Sequence, residues 1–126
     1  MTSISLIDHI VICVKEVEPF VAFYRDLLGA KLDESSPGKI ELRFGNSKIS
    51  VQTPESLPAI AQNTKPGTAN LCLTTDEDMV VLCTRMEEAG FAAISPLRER
   101  DGAVGAIYSA HFRDPEGNLV EVGNRI

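Results

Sequence analysis

No run of basic residues with interleaved aromatics occurs anywhere in this chain, and aromatics make up only 6% of it. Twelve Lys and Arg face eighteen Asp and Glu, for a net charge of −6 and a pI near 4.8. Affinity for a phosphate backbone comes from cations that displace its counterions, so nucleic acid is excluded as a partner. No apolar stretch approaches the roughly 18 residues of a membrane span, so no membrane partner is expected either. The three cysteines are odd in number and lack Cys-x-x-Cys spacing. That excludes a disulfide framework or a thiolate metal site of the usual pattern. Residues 1–5 lack a basic region followed by a long apolar core, so no secretory signal is visible. A reducing, cytoplasmic location is the expectation.

What the chain does contain is one design written twice. The size of 126 residues suits one compact domain, residues 1–126, which could be built from two half-domains. The hydrophobic share of 44% and the charged share of 24% are ordinary for a globular protein. One copy opens at Asp8-His9-Ile10-Val11 and reaches a glycine at Gly29; the other opens at Ala69-Asn70-Leu71-Cys72 and reaches Gly90. His9 to Gly29 and Asn70 to Gly90 are both 20 residues. Each copy closes on a hairpin begun by a phenylalanine, Phe44 in one and Phe112 in the other. Equivalent copies would place His9, Gln52, Asn70 and Glu121 at corresponding positions.

Periodicity assigns the elements within each copy. Residues 6–14 alternate, with Asp8, Ile10, Ile12 and Val14 on one strand face and Ile7, His9, Val11 and Cys13 on the other. Phe20, Phe23, Tyr24, Leu27 and Leu28 then form a helical stripe that starts near Pro19 and stops at Gly29. Strands are predicted over 39–44 and 47–53, with room for a short one near Lys31-Leu32. The prolines Pro54, Pro58 and Pro66 mark residues 53–67 as a connection. In the second copy Asn70, Cys72 and Thr74 share a face. A helix with acidic Asp76, Glu77 and Asp78 at its start carries the stripe Met79, Leu82, Cys83 and Met86. Residues 98–105 read as a glycine- and charge-rich loop. Residues 114–118 read as a turn, and the last strand sets Val120 and Val122 against Leu119, Glu121 and Gly123.

The faces sort consistently. Positions turned toward the helices are Ile, Leu and Val, while the other face gathers His9, Cys13, Ser50, Gln52, Asn70, Cys72, Thr74 and Glu121. That mixture suits a partly enclosed surface that receives a small molecule. Glu121 between two valines needs a partner if it faces inward. His9 is either a hydrogen-bonded strand histidine or a ligand. Cys13 and Cys72 are either small apolar fillers or thiols that contact a substrate. Arg100 is either a solvated charge or a clamp for an anionic substrate.

The stretches Asp8-His9-Ile10-Val11, Phe23-Tyr24 through Leu28-Gly29, and Phe112-x-Asp114-Pro115-x-Gly117-Asn118-x-x-Glu121 resemble the vicinal oxygen chelate superfamily. That superfamily holds glyoxalases, bleomycin-resistance proteins and extradiol dioxygenases. Pro66-Gly67-Thr68-Ala69-Asn70-Leu71-Cys72-Leu73 and Arg100-Asp101-Gly102-Ala103-Val104-Gly105 further resemble its glyoxalase-domain-containing 5 subgroup. The resemblance implies an α+β fold of two tandem βαβββ modules, residues 5–53 and 68–123, forming a half-barrel cup. It implies a divalent metal ion (Zn, Ni, Mn or Fe) held by His9, Gln52 and Glu121. Asn70 departs from the pattern, since many members carry His there, and becomes a substrate-binding residue with Cys13, Cys72 and Arg100. The implied activity is of the lyase or isomerase type: the ion chelates two neighbouring oxygens of a small substrate and Glu121 shuttles a proton between adjacent carbons. The alternative is a metal-free binding protein of the bleomycin-resistance type. The superfamily's habits also imply a homodimer.

Overall fold

A computed structural model describes residues 3–56 and 61–126. Pro58 of the predicted connection, and the first two residues of the N-terminal stretch, lie outside the described residues. Two compact units divide the chain, Met1–Pro66 and Gly67–Ile126.

The first unit runs β1 (His9–Cys13), α1 (Val17–Ala22), β2 (Lys31–Asp33), β3 (Ile40–Phe44) and β4 (Ser47–Gln52). Its sheet has the order β1-β4-β3-β2. The predicted first helix begins as α1 but widens into a π-helix over Phe23–Leu27. A wider turn brings the consecutive Phe23 and Tyr24 both into the core. Their rings stand edge-on at 5.0 Å, and Tyr24 lies 4.6 Å from Phe20. Gly29 then leaves the helix at φ +79°, a conformation other residues adopt at a cost. Ile12, Leu42 and Ile49 supply the buried sheet side, as the alternation predicts.

The second unit repeats the order: β5 (Asn70–Thr74), α2 (Met79–Glu88), β6 (Arg98–Gly102), β7 (Gly105–Arg113) and β8 (Leu119–Arg125). Its sheet order, β5-β8-β7-β6, is that of the first unit. Each unit is thus a βαβββ module, and the fold is α+β. Asp78 caps α2 by accepting from the backbone N–H of Val80 at 2.8 Å and of Val81 at 3.3 Å. Met79, Leu82 and Met86 are buried, as are Ala110, Phe112, Val120 and Val122 of the sheet. Cys83 of the predicted stripe stays half-buried.

One prediction is corrected here. Residues 98–105 are not a loop, because Arg98–Gly102 is a strand paired antiparallel to β7. The charges there are tolerated because β6 is an edge strand, and only Ala103 and Val104 form the turn between Gly102 and Gly105. The turn at residues 114–118 is as expected. Asp114 Oδ1 accepts from the N–H groups of Glu116 and Asn118, and its Oδ2 accepts from Asn118 Nδ2. Asn118 Oδ1 in turn accepts from Ala69 N–H at 2.8 Å, which fixes the start of β5. Asp114 and Asn118 are buried and structural.

Candidate functional site

Register, rather than sequence spacing, decides which polar residues share a face. In the first unit His9 pairs with Lys48, Val11 with Ser50 and Cys13 with Gln52, while Ser50 also pairs with Glu41. These side chains line one face, and His9, Glu41, Lys48, Ser50 and Gln52 border a recess of about 450 Å³. Glu41 accepts from Lys48 Nζ and from Arg43 at 3.2 Å. The Lys48 ammonium, aided by Arg43, holds the Glu41 carboxyl below its ordinary value. The exposed Asp8 carboxyl is likewise lowered by a 2.7 Å hydrogen bond from His9 Nδ1. An ionised Asp8 only accepts, so His9 Nδ1 carries the proton of this bond. Gln52 Oε1 is buried without a hydrogen-bond partner among the described residues. Such an oxygen is costly to leave unmet.

A metal ion needs these donors to converge, and two of them do not. Gln52 lies four ladder steps beyond the partner of His9, about 13 Å along the strands at 3.3 Å per residue. Ligand bonds of about 2.0–2.2 Å, from side chains that stand off the sheet, do not bridge that gap. His9 and Gln52 therefore do not fit one ion. No group of three or more His, Cys, Asp or Glu suited to a metal occurs among the described residues.

The same register shows why the two copies are not equivalent residue for residue. His9 opposes Lys48, and Asn70 opposes Leu119. Two steps further on lie Ser50 in the first unit and Glu121 in the second. Glu121 thus answers to Ser50, and Gln52 answers to Gly123. The five-residue turn at 114–118 is longer than the one at Gly45-Asn46, and this offset is invisible when the copies are aligned by their phenylalanines.

In the second unit the polar face of β5, β7 and β8 carries Cys72, Ser109, His111 and Glu121, with Cys72 and His111 directly opposite Glu121 on either side. Glu121 Oε2 accepts from Ser109 Oγ at 2.7 Å, and Oε1 lies 3.5 Å from His111 Nε2. Ser95 Oγ accepts from His111 N–H at 2.9 Å and from Arg100 Nη2 at 3.2 Å. Its own proton is therefore free to go to His111 Nδ1, 2.8 Å away. That assignment leaves the ring proton on Nε2, facing Glu121. Arg100 closes the circuit through the carbonyl and hydroxyl of Ser109 and the carbonyl of Pro96. A half-buried carboxylate is thus held on one oxygen by a serine that is itself held, and faces the His111 ring with the other.

A second recess, of about 270 Å³, opens beside it and is bordered by Cys72, Thr74, Ile107, Glu121 and Arg125. Burial, reinforced by Glu121, pushes the Cys72 thiol above its ordinary value. The thiol stays protonated and is a poor nucleophile. Cys13 is only 3% exposed and offers a ligand little surface. Asn70 is exposed on β5. Arg100 sits on a strand rather than a loop, with its guanidinium occupied by protein oxygens.

Sequence reasoning missed Ser95, Ser109, His111 and Arg125. Three of them were findable: once the 114–118 turn fixes the hairpin, alternation along β7 and β8 brings Ser109, His111 and Arg125 to the face of Glu121. Ser95 carries no such signal.

The family model for the glyoxalase/bleomycin resistance protein/dioxygenase superfamily matches residues 6–122. The chain belongs to that superfamily. It is 32% identical to virulence protein STM3117 of Salmonella typhimurium over 98% of this chain and 86% of that protein. An integron cassette protein from the mobile metagenome of V. cholerae is 36% identical, with a TM-score of 0.91 over 98% of both chains. The ethylmalonyl-CoA/methylmalonyl-CoA epimerase of Cereibacter sphaeroides is 30% identical over 94% of this chain and 97% of its own. No helix among the described residues is long and apolar enough to cross a membrane.

Proposed function

We propose that this superfamily member is a glyoxalase-type lyase or isomerase that moves a proton between adjacent carbons of a small oxygenated molecule, with Glu121 as the base. The observation that carries this reading is the Glu121 carboxylate, held by Ser109 and faced by His111 at the edge of an open recess. Positioning a base in this way contributes to proton transfer from carbon by removing the need to orient it during the reaction. Glu121 takes the proton from the carbon beside a carbonyl and returns it to the neighbouring carbon. The Nε2–H of His111 offsets the charge that Glu121 carries before and after the transfer. The epimerase relative, whose name implies inversion at a carbon, supports the class. Membership of the glyoxalase-domain-containing 5 subgroup belongs to the same proposal.

A divalent ion would supply Lewis-acid polarisation of two neighbouring substrate oxygens. His9 and Gln52 do not fit one ion together, so no step is routed through it. The full expectation of His9, Gln52 and Glu121 as ligands is read by elemental analysis of untagged protein, with His9→Ala and Glu121→Ala beside it. Stoichiometric metal lost in both variants supports a bound ion; trace metal unchanged in both removes it from the account. Turnover of the glutathione hemithioacetal of methylglyoxal, and of a methylmalonyl thioester, tests the activity itself. No turnover of either by wild-type protein, with or without added divalent metal, counts against the enzyme reading.

A second reading, sequestration of a small molecule without turnover, is favoured by the unpartnered Gln52 Oε1, which suits a ligand's N–H or O–H donor. A homodimer completes the proposal. The exposed Ile4, Leu6 and Ile7 ahead of β1 support it, and light scattering reads the mass.

A further inference from the structure

Resting on the proton-transfer reading, we infer that Arg125 is the anion clamp of the recess beside Glu121, and that the molecule bound there carries a carboxylate several bonds from the carbon that loses its proton. Arg100, the expected clamp, is already committed to Ser95, Pro96 and Ser109. Arg85 is committed to Glu77, and Arg113 to the carbonyl of Gly117. Arg125 has no hydrogen-bond or ion-pair partner among the described residues. Arg98 is likewise unpartnered, but only Arg125 borders the recess.

Its placement is specific. Glu121, Gly123 and Arg125 alternate along β8 and so project from the same face, and Arg125 pairs with Ile107 across the ladder. A Cβ built at Gly102 would lie 3.5 Å from Arg125 Nη1, an ordinary contact distance, which places the guanidinium beside the β6–β7 turn. Cys72 feels both Glu121 and Arg125, with opposite effects on its thiol. Asp101 also borders the recess, so an anion binds only where it can face the guanidinium and keep clear of that carboxylate. A planar fork of N–H donors suits a carboxylate, which can accept two parallel bonds.

Spacing sets the ligand class. Four steps of strand separate Glu121 from Arg125, about 13 Å between backbones at 3.3 Å per residue. The guanidinium reaches across the sheet toward Gly102 rather than along β8 toward Glu121, so only the contact distances at the two ends shorten the gap, leaving on the order of 5–10 Å between carboxylate and reacting carbon. A 2-oxo acid, whose carboxylate adjoins the reactive carbon, is too short. An ω-carboxylate on a chain of five or six carbons fits.

The test compares 6-hydroxyhexanoate with the neutral 6-hydroxyhexanamide, which differ in charge at one end. Each is titrated into the isotope-labelled full chain by NMR, following the Arg125 Nε–H and Cys72 amide signals. The expected result is a three- to tenfold preference for the carboxylate, since the pair is partly solvent-screened. Arg125→Gln abolishes that preference and Arg98→Gln keeps it. Equal binding of the two probes by wild-type protein overturns the inference, as does a preference that survives Arg125→Gln. Glu121→Gln separates this from the proton-transfer reading: it removes turnover while keeping or strengthening the carboxylate preference. A chain that binds the carboxylate through Arg125 but exchanges no carbon-bound proton retains the clamp and loses the enzyme.

Discussion

Gly123 stands directly opposite Ser109 in the two strands that build the Glu121 site, and Gly123→Ala is the most informative stability test. A Cβ there would sit 2.7 Å from Ser109 Cβ and 2.8 Å from the carbonyl oxygen of Tyr108. Carbon atoms pack at about 3.5–4.0 Å, so β7 and β8 must part locally by roughly 1 Å. The atoms in the way are backbone and Cβ, which cannot swing aside as a side-chain tip can. Overpacking of this kind costs about 1–3 kcal/mol, and the stiffness of the obstacle argues for the upper part of that range. For a chain of this size each kcal/mol lowers Tm by about 3–5 °C, giving a loss of about 6–15 °C. The same displacement pulls Ser109 from Glu121, so activity should fall further than stability accounts for. Thermal unfolding followed by circular dichroism reads the first effect, and turnover well below the melting range reads the second. A Tm within 1 °C of wild type would refute the claim that β7 leaves no room for a side chain at this residue.

The remaining predictions are simpler. Ser109→Ala deletes a fully buried hydroxyl that donates to Glu121 and accepts from Arg100; urea unfolding should show a loss of about 1.5–3 kcal/mol, as for hydrogen bonds to charged groups. Asp114→Ala removes three acceptor contacts from a buried turn and should cost about 2–4 kcal/mol; a loss below half a kcal/mol would show the turn holds without them. Asp33 and Glu41 are both depressed, Asp33 chiefly by Ser35 and then Arg43, and Glu41 chiefly by Lys48 and then Arg43. A depressed folded-state pKa adds stability above the unfolded value, and that stability is lost as pH falls through the folded value. Stability should therefore decline on acidification below the ordinary carboxylate range, and Arg43→Gln should flatten the decline; an unchanged slope would remove Arg43 from the explanation.

Much of the fold is readable from residues alone, because period-two and helical apolar patterns each specify one buried face. Ile12, Ile49, Val120 and Val122 are where alternation puts them, and Met79, Leu82 and Met86 follow the helical stripe. β6 escaped because its residues, Arg98 to Gly102, lack that pattern; an edge strand needs no buried face of its own to pair. The widened turn at Phe23–Leu27 keeps the predicted buried aromatics while changing the backbone, so a hydrophobic pattern does not report it. The candidate site is harder for a geometric reason. Glu121 stands out in sequence as a carboxylate between valines, but its partners arrive through register. Ser109 and His111 reach it across a hairpin, Ser95 arrives from a segment without regular structure, and one extended turn shifts the second copy by two residues against the first. Arg100 and Arg125 look alike in sequence, and only the hydrogen bonds around them separate a structural guanidinium from an available one.

The most direct test of the central claim is solvent deuterium uptake. Wild-type protein and Glu121→Gln are each incubated in deuterium oxide with the glutathione hemithioacetal of methylglyoxal and with a methylmalonyl thioester, and label at the carbon beside the carbonyl is followed by NMR. A working base at Glu121 predicts enzyme-dependent labelling of at least one compound, slowed about 10²–10⁴-fold by Glu121→Gln, the usual contribution of such a group. Labelling by the variant at the wild-type rate would contradict it.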